Sequence, residues 1–587
     1  MEQARKRTFL QLVQHLDEVR TRHKVDAATL VGTVLAAWSS KAFRGLPKPA
    51  LPYRDALLKE GAVSELLLWV QEEALLHGAY WLSSAYAQLL DKDRRKRLAM
   101  FFTPPSLTGR LLDDLQSAGV SFATRTFFDP ACGGAAFLVP IAQRMREQLL
   151  KSGASAQAVL DHVVTHVYGA DLDPALCELS RHFLLMVLHK EILAASNVPQ
   201  LQISCADSLL QLAQSFGTMD VITCNPPYRK MSAEEVGKYR EHFPEVIEAQ
   251  PNLYALFIAL CVKLMKAGGT CALVTPTSFL SGQYFSGLRT FLMDEARILS
   301  IGMVSDRMGV FMDVEQETAL TLLQRNSTPA HHGASASVSV VSRDGNYVSV
   351  GTCALPNSGA AWPIPRTETD VELLRRASTL RFRLADYGYV PRIGSFVWNR
   401  DERPTYISAA MSKRNPQGTA VPLLWSSDVR PDGSLRFDGK RKANREPCFV
   451  SLGSKVHPSV VRNPSLVLQR VTSNDQPRRL VAAAVPQELF KEYGGFVGEN
   501  HVVILERNRT DAPLTPQQMV ELLSCAAVDR YFRCISGATN VSIFELNQLA
   551  LPDPAKVALS LRTGVPMGQA VLAALADQDS IVGERHH

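Results

Sequence analysis

Apolar residues recur along this chain in two rhythms, and the changes between them divide it. In residues 1–97 the spacing is helical. Leu10, Leu12, Val13 and Leu16 fall on one face, and the stretches 62–76 and 80–90 repeat the pattern. From 98 to 325, short apolar runs alternate with helical stretches. Strands are predicted at 126–129, 163–170, 202–206, 221–224, 270–275, 298–304 and 319–323, with helices at 136–150 and 253–265 among them. Strands alternating with helices imply a parallel, doubly wound sheet. The last two runs lack a helix between them and predict an antiparallel pair at one edge. Residues 326–384 read as a connector. Its Ser-, Ala-, Gly- and Pro-rich first part holds a weak hairpin around Asp344-Gly345, and a helix is predicted at 366–380. From 385 to 555 the runs are short and β-like, broken by Pro, Gly and Arg, which marks a second domain. Residues 556–587 predict one small helix and a loose tail.

Composition narrows the class. With 46% hydrophobic and 20% charged residues over 587 positions, the chain reads as globular, with roughly two to four domains. No apolar run of about 18 residues is present, and Met1–Arg7 is not followed by a signal-peptide core, so a cytoplasmic protein is expected. The ten cysteines include no Cys-x-x-Cys pair; they read as small buried residues in a reducing compartment, and no metal is expected. The net charge of +6 is uneven. Residues 381–480 hold 18 Lys/Arg against 8 Asp/Glu, a balance of +10, while the rest of the chain carries −4. Such a basic segment is either a footprint for a polyanion or a solvated surface. The run Asp91–Arg97 is open to the same two readings, a phosphate contact or a solvated helix end.

The candidate chemistry sits where strands end. Phe128-Asp129-Pro130-Ala131-Cys132-Gly133-Gly134-Ala135 follows the first strand and opens a helix, and its small residues let the backbone approach a ligand closely. It is neither a Gly-x-Gly-x-x-Gly dinucleotide loop nor a phosphate loop. The second strand ends at Asp171, placed to accept from a ribose diol. The third ends at Asp207, placed to accept from an amino group. The fourth, Val221–Cys224, runs into Asn225-Pro226-Pro227-Tyr228. There an amide oxygen, a backbone carbonyl held by rigid prolines and an aromatic face suit a planar, amino-bearing group. Taken singly, each Asp reads more readily as a helix N-cap, and the Asn-Pro-Pro run is equally a turn. Four successive strand ends bearing such residues point to one ligand edge.

This series resembles the γ-class N6-adenine DNA methyltransferases of restriction–modification systems. The resemblance covers residues 98–325. It runs through Phe102-Thr103-Pro104-Pro105, Asp129-Pro130-Ala131-Cys132-Gly133, Asp171-Leu172-Asp173-Pro174, Ala206-Asp207-Ser208, Asn225-Pro226-Pro227-Tyr228, Asn252–Phe257 and Leu273–Leu280. It implies a Rossmann-like α/β methyltransferase domain with a helical N-terminal extension and an irregular, mixed C-terminal target-recognition domain. It also implies S-adenosylmethionine as cofactor. Thr103 and Pro104 would close over the methionine end, which Asp129, Ala131 and Gly133 would line. Asp171 would hold the ribose, Asp207 the adenine amino group, and Phe257 would pack on the cofactor adenine. Asn225 and the Pro226 carbonyl would accept from the target N6, with Tyr228, and more loosely Phe285, stacking on the flipped base. The family usually has Gly-Ser-Gly after the Cys. Here Ala135 takes the last place, which matters if that position needs a positive φ.

The basic second domain would then recognise the target, with Arg400, Arg470, Ser473, Arg478 and Arg479 as candidate DNA contacts and Gly498-Glu499-Asn500-His501 as a polar turn between strands. The expected function is adenine-N6 methylation of double-stranded DNA, beside a separate restriction endonuclease or other defence subunit. No nuclease pattern of the Pro-Asp…Asp/Glu-x-Lys kind is found in the first 95 residues. Two alternatives remain open: methylation of RNA adenine or protein glutamine, or an idle DNA-binding subunit.

Overall fold

The computed structural model describes residues 2–576 except 99, 101, 213–214, 249–250, 305–316, 328–334, 343, 357, 415–417, 441–445, 454–456, 473–475 and 537–539. The chain forms two compact units. One comprises Met1–Phe279 and Tyr284–Gly359, the other Leu280–Gln283 and Ala360–His587.

The first unit is built on a nine-stranded sheet. Its strands are β1 (Phe127–Asp129), β2 (Val167–Asp171), β3 (Gln202–Cys205), β4 (Met219–Cys224), β5 (Met265–Pro276), β6 (Ala296–Val304), β7 (Thr318–Arg325), β8 (Ser335–Val341) and β9 (Tyr347–Ala354). Their order is β3-β2-β1-β4-β5-β7-β6-β8-β9. β1 to β5 run parallel, with Phe127 opposite both Val167 and Val221, and β7 runs antiparallel between β5 and β6. The order turns around between β1 and β4, so the carboxyl ends of those strands flank the crevice where open α/β sheets bind ligands.

Three sequence expectations change. The run 163–170 splits: Ala156–His166 is helical, N-capped by Ser155, and β2 begins only at Val167. The β6–β7 pair is interior, because β8 pairs parallel with β6 and β9 closes the sheet. The hairpin expected in the connector is therefore part of this sheet, while the helix Glu368–Ala377 lies in the second unit.

The N-terminal helices Glu2–Arg22, Ala27–Ala42, Gly61–Gln71 and Leu75–Leu89 share one hydrophobic core with the sheet and its helices. Trp38 reaches Phe183 on helix Pro174–Val187 at 6.3 Å between rings. The segment is thus fastened to the sheet domain by apolar burial, the main favourable contribution to folding.

The second unit holds two four-stranded sheets. Its strands are β10 (Tyr389–Ile393), β11 (Thr405–Tyr406), β12 (Thr419–Leu424), β13 (Phe449–Leu452), β14 (Ser465–Gln469), β15 (Ala482–Ala484), β16 (Val497–Gly498) and β17 (Val502–Arg507), ordered β10-β17-β14-β15 and β11-β13-β12-β16. The C-terminal stretch forms two helices, Pro554–Arg562 and Met567–Ala576, where one small helix was expected. Val557, Val571 and Leu575 from them join the core of this unit. No helix among the described residues is long and apolar enough to cross a membrane.

Candidate active site

Four strand ends open on one cleft in the first unit. Its empty volume is about 940 Å³, including the part continuous with solvent, and Thr103, Asp129, Ala131, Gly133, Asp171, Asp207, Asn225, Pro227 and Phe257 all line it. Pro104, Pro226, Tyr228 and Phe285 are not among the lining residues.

The loop after β1 is shaped by its carboxylates. Asp129 is buried and accepts from the Ala131 N–H at 3.0 Å; desolvation pushes its carboxyl well above the usual range. At the end of β2, Asp171 accepts from the Gly133 N–H and the Asp173 N–H, each at 2.9 Å, and burial raises it to about 6. The loop turns through left-handed backbone at Gly133 (φ 51°) and Ala135 (φ 60°). So the position where Ala departs from the family pattern does adopt a positive φ. Between them Gly134 meets helix Leu75–Leu89: a Cβ there would lie 1.9 Å from the Ser83 Oγ, so no larger residue fits.

The same N-terminal helices brace the second strand end. Asp173 caps helix Pro174–Val187 and is 2% exposed. It accepts from the Tyr86 hydroxyl at 2.9 Å and from Arg94 at 2.9 Å. Arg94 belongs to helix Lys92–Leu98, so the basic run that read as a surface break is partly structural. Arg97 and Leu98 of that helix line the cleft, which the sequence did not single out.

Asp207, at the end of β3, is the N-cap that its position allowed, and its second oxygen meets protein groups. One oxygen caps the short helix Ser208–Gln211 through the Leu209 N–H at 3.2 Å. The other accepts from Lys238 Nζ at 2.8 Å and the Tyr239 hydroxyl at 3.0 Å. These two come from helix Ala233–Tyr239, which the sequence reading missed although its capping box, Ser232 with Glu235, was legible. Arg229 secures the start of that segment by a two-pronged pair with Glu235, whose carboxyl it holds down at about 2.

In the Asn-Pro-Pro-Tyr loop, the Tyr228 hydroxyl is directed at Asn225 Oδ1 (2.5 Å) and the Val274 carbonyl (2.8 Å), and burial raises it far above an ordinary phenol. Ring contacts continue outward from it. Tyr228 meets Tyr254 edge-on at 6.1 Å, and Tyr254 stacks on Phe285 at 5.1 Å and 27°. Phe285, offered as a second stacking ring for a base, is 8% exposed and its face is taken by Tyr254.

The donor set suits S-adenosylmethionine. Three carboxylates stand on adjacent strands to meet an ammonium, a diol and an amino group, and an aromatic ring, Phe257, lines the same cleft. The Thr103 hydroxyl lies on the cleft wall, 2% exposed and without a protein partner among the described residues. A buried hydroxyl with no partner is costly and favours a ligand that bonds to it.

A family model, N-6 DNA Methylase, matches residues 79–351. That segment, just under half of the chain, is similar to the N-6 DNA methylase family. Among curated proteins, the type II methyltransferase M.PstI of Providencia stuartii is 26% identical over 352 residues, covering 56% of this chain and 64% of its own. M.BsuBI of Bacillus subtilis is 24% identical over 341 residues, with the same two coverages. The chain thus spans just under two thirds of the length of these relatives. Among solved structures, the type IIL restriction-modification enzyme MmeI, determined in complex with DNA, shares the fold with a TM-score of 0.53 over 96% of this chain and 89% of its own, at 13% identity.

Outside the methylase segment, the candidate DNA contacts separate. Arg400 and Arg478 are exposed. Arg470 spends one guanidinium nitrogen on the Asn500 carbonyl at 2.8 Å. Ser473 lies outside the described residues. Arg479 is fully buried: it bonds the Thr472 hydroxyl at 3.1 Å and the Ser536 hydroxyl at 2.6 Å, while its N–H donates to Asp529 at 2.7 Å. It braces the core of its unit, and no face of it is left for a base.

Proposed function

We propose that this protein is an adenine-N6 DNA methyltransferase that uses S-adenosylmethionine and serves as the modification part of a restriction–modification or related defence system. The observation that carries the reading is that Asn225 and Pro227 of the Asn-Pro-Pro-Tyr loop line the same cleft as Asp129, Asp171 and Asp207, from four strands adjacent in the sheet.

Bound S-adenosylmethionine supplies a methyl group activated by its sulfonium, so the protein's task is to position and polarise the acceptor. An exocyclic amine is a weak nucleophile because its lone pair is drawn into the ring. Asn225 Oδ1 and the Pro226 carbonyl accept from the two amine hydrogens, which favours the pyramidal form and stabilises the positive charge that grows on nitrogen. The new N–C bond forms as the methyl–sulfur bond breaks, and the amine proton leaves to solvent. A paired adenine is out of reach of this loop, so the base is flipped from the duplex and held against Tyr228. Asp171 binds the ribose diol, Asp207 the cofactor amino group, and Asp129 with Thr103 the amino-acid end.

The test is transfer of label from tritiated S-adenosylmethionine to unmethylated bacterial DNA, beside Asn225→Ala, with N6-methyladenine mapped by long-read sequencing. Modification in a defined motif, absent from the variant, is expected. Transfer to RNA or protein instead would overturn the choice of substrate. Binding of cofactor and DNA without transfer would make the chain an idle subunit.

A further inference from the structure

We infer that the turn Glu499–His501, together with Trp398 and Arg400 of the loop facing it, is a base-reading site for double-stranded DNA, with His501 as the specificity-determining side chain. The inference deepens the DNA-methyltransferase reading and rests on it for the choice of nucleic acid.

Two backbone segments are locked together here. The Gly394 N–H donates to the Val502 carbonyl at 3.0 Å, the Phe396 N–H to the Gly498 carbonyl at 3.1 Å, and the Asn500 N–H to the Phe396 carbonyl at 2.8 Å. A Cβ at Gly394 would lie 2.0 Å from the Glu499 carbonyl oxygen, so the approach is as close as glycine permits. Arg470 ties the turn from a third side, through its N–H to the His501 carbonyl at 2.9 Å and its guanidinium to the Asn500 carbonyl at 2.8 Å. The side chains are therefore presented by fixed backbone, which precise reading of a base edge requires.

Their chemistry is directional. Glu499 is 1% exposed, and its carboxylate accepts from the His501 N–H at 2.8 Å and contacts His501 Nδ1 at 2.9 Å. A carboxylate only accepts, so Nδ1 carries the hydrogen, and in the neutral tautomer that this bond selects Nε2 is an acceptor. The His501 side chain is 55% exposed. An acceptor on rigid support suits the exocyclic amino group of adenine or cytosine in the major groove. Beside it, Asn500 Oδ1 is buried without a partner among the described residues, a second acceptor that a base amino group would satisfy.

The facing loop supplies a platform. Trp398 is 49% exposed, yet it is held edge-on against Trp425 at 5.6 Å, and the Trp425 indole N–H is anchored on the Pro447 carbonyl at 2.7 Å. An exposed indole on a rigid aromatic base, next to exposed Arg400 in the segment of charge +10, suits a stacking and phosphate contact at the edge of a duplex.

The experiment reads sequence preference without catalysis. The full chain is incubated with a randomised pool of duplexes, and the retained molecules are sequenced for the wild type, His501→Ala, His501→Asn and Trp398→Ala. All three variants replace exposed side chains, and their melting curves are compared with the parent. The wild type is expected to retain one motif. The His501 variants should lose discrimination at a single position of it by about fivefold or more, while Trp398→Ala weakens retention with the motif unchanged. Folded His501 variants that keep the parent motif at full stringency would overturn the assignment, as would a wild type that retains duplexes without preference. A wild type that selects a motif but transfers no methyl group would instead overturn the catalytic reading and leave this one standing.

Discussion

The hydroxyl of Tyr228 rests on the carboxamide oxygen of Asn225, the same oxygen that the proposed chemistry asks to accept from the target amine. The contact orients the amide, and on the proposed reading the ring would be the surface for the base. The two parts of the side chain are separable. Tyr228→Phe removes one hydrogen bond, worth about 0.5–1.5 kcal/mol net, so kcat for methyl transfer is expected to fall about two- to tenfold with KM for DNA little changed. Tyr228→Ala also removes the stacking face and should lose about a further tenfold or more. Single-turnover transfer assays separate the cases. A Phe variant as inactive as the Ala variant would show that the hydroxyl, not the ring, is what matters.

Lys238 and Tyr239 occupy the Asp207 oxygen that the cofactor amino group would use. Lys238 is about half exposed, and an ion pair of that kind contributes at most about 1 kcal/mol. Lys238→Met is therefore expected to tighten S-adenosylmethionine binding by up to about fivefold, because a competitor for the carboxylate is gone. Calorimetric titration measures this directly. Weaker binding would mean that Lys238 orients Asp207 and does not compete for it.

What could be read in advance followed local rules, and what could not depended on tertiary paths. Asn225 and Asp171 were placed at strand ends because the apolar runs before them are short and sharply bounded. The helix Ala156–His166 was lost because its apolar residues run straight on into β2, although Ser155 is an ordinary N-cap and could have revealed it. Arginine is rarely buried, so Arg479 read as a surface residue; Ser536, a partner of its guanidinium, stands 57 positions away. The bond from Lys238 to Asp207 spans 31 positions, and no periodicity encodes it. The hairpin β8–β9 was visible as a hairpin, but its pairing with β6 is set by the sheet.

Ala135 holds a left-handed conformation at φ 60° and is fully buried. That conformation costs an L-residue about 1–2 kcal/mol. Glycine would relieve it, but would lose about 0.8 kcal/mol of methyl burial and about 0.5–1 kcal/mol of chain entropy. The effects nearly cancel, so Ala135→Gly should change stability by no more than about 1 kcal/mol and leave cofactor binding intact. Ala135→Val brings a branched side chain to the same φ and should destabilise by clearly more than that. Denaturant unfolding of both variants checks the ranking; a valine variant as stable as the parent would mean that the backbone here is not held as described.

The cofactor cleft should be sensitive to acid. Burial raises the Asp171 carboxyl to about 6 from an ordinary 3.8, and the same cause raises Asp129. On the proposed reading the charged form of Asp171 would accept from both ribose hydroxyls, whereas the protonated form gives up one acceptor position to its own hydrogen. Ligand binding therefore favours the charged form, and affinity should rise with pH through about 6 and level off above it. Asp129 meeting an ammonium changes in the same sense. At pH 5 only about a tenth of Asp171 is charged, so S-adenosylmethionine should bind about tenfold more weakly than at pH 7.5. The sign for stability is opposite in the free protein: an acid with a raised pKa destabilises the fold as pH climbs from 3.8 to about 6. The thermal shift produced by cofactor should accordingly grow across that window. Asp171→Asn should bind more weakly throughout, with the step near pH 6 reduced. An affinity that is flat from pH 5 to 7.5 in the wild type would remove Asp171 from the ribose site.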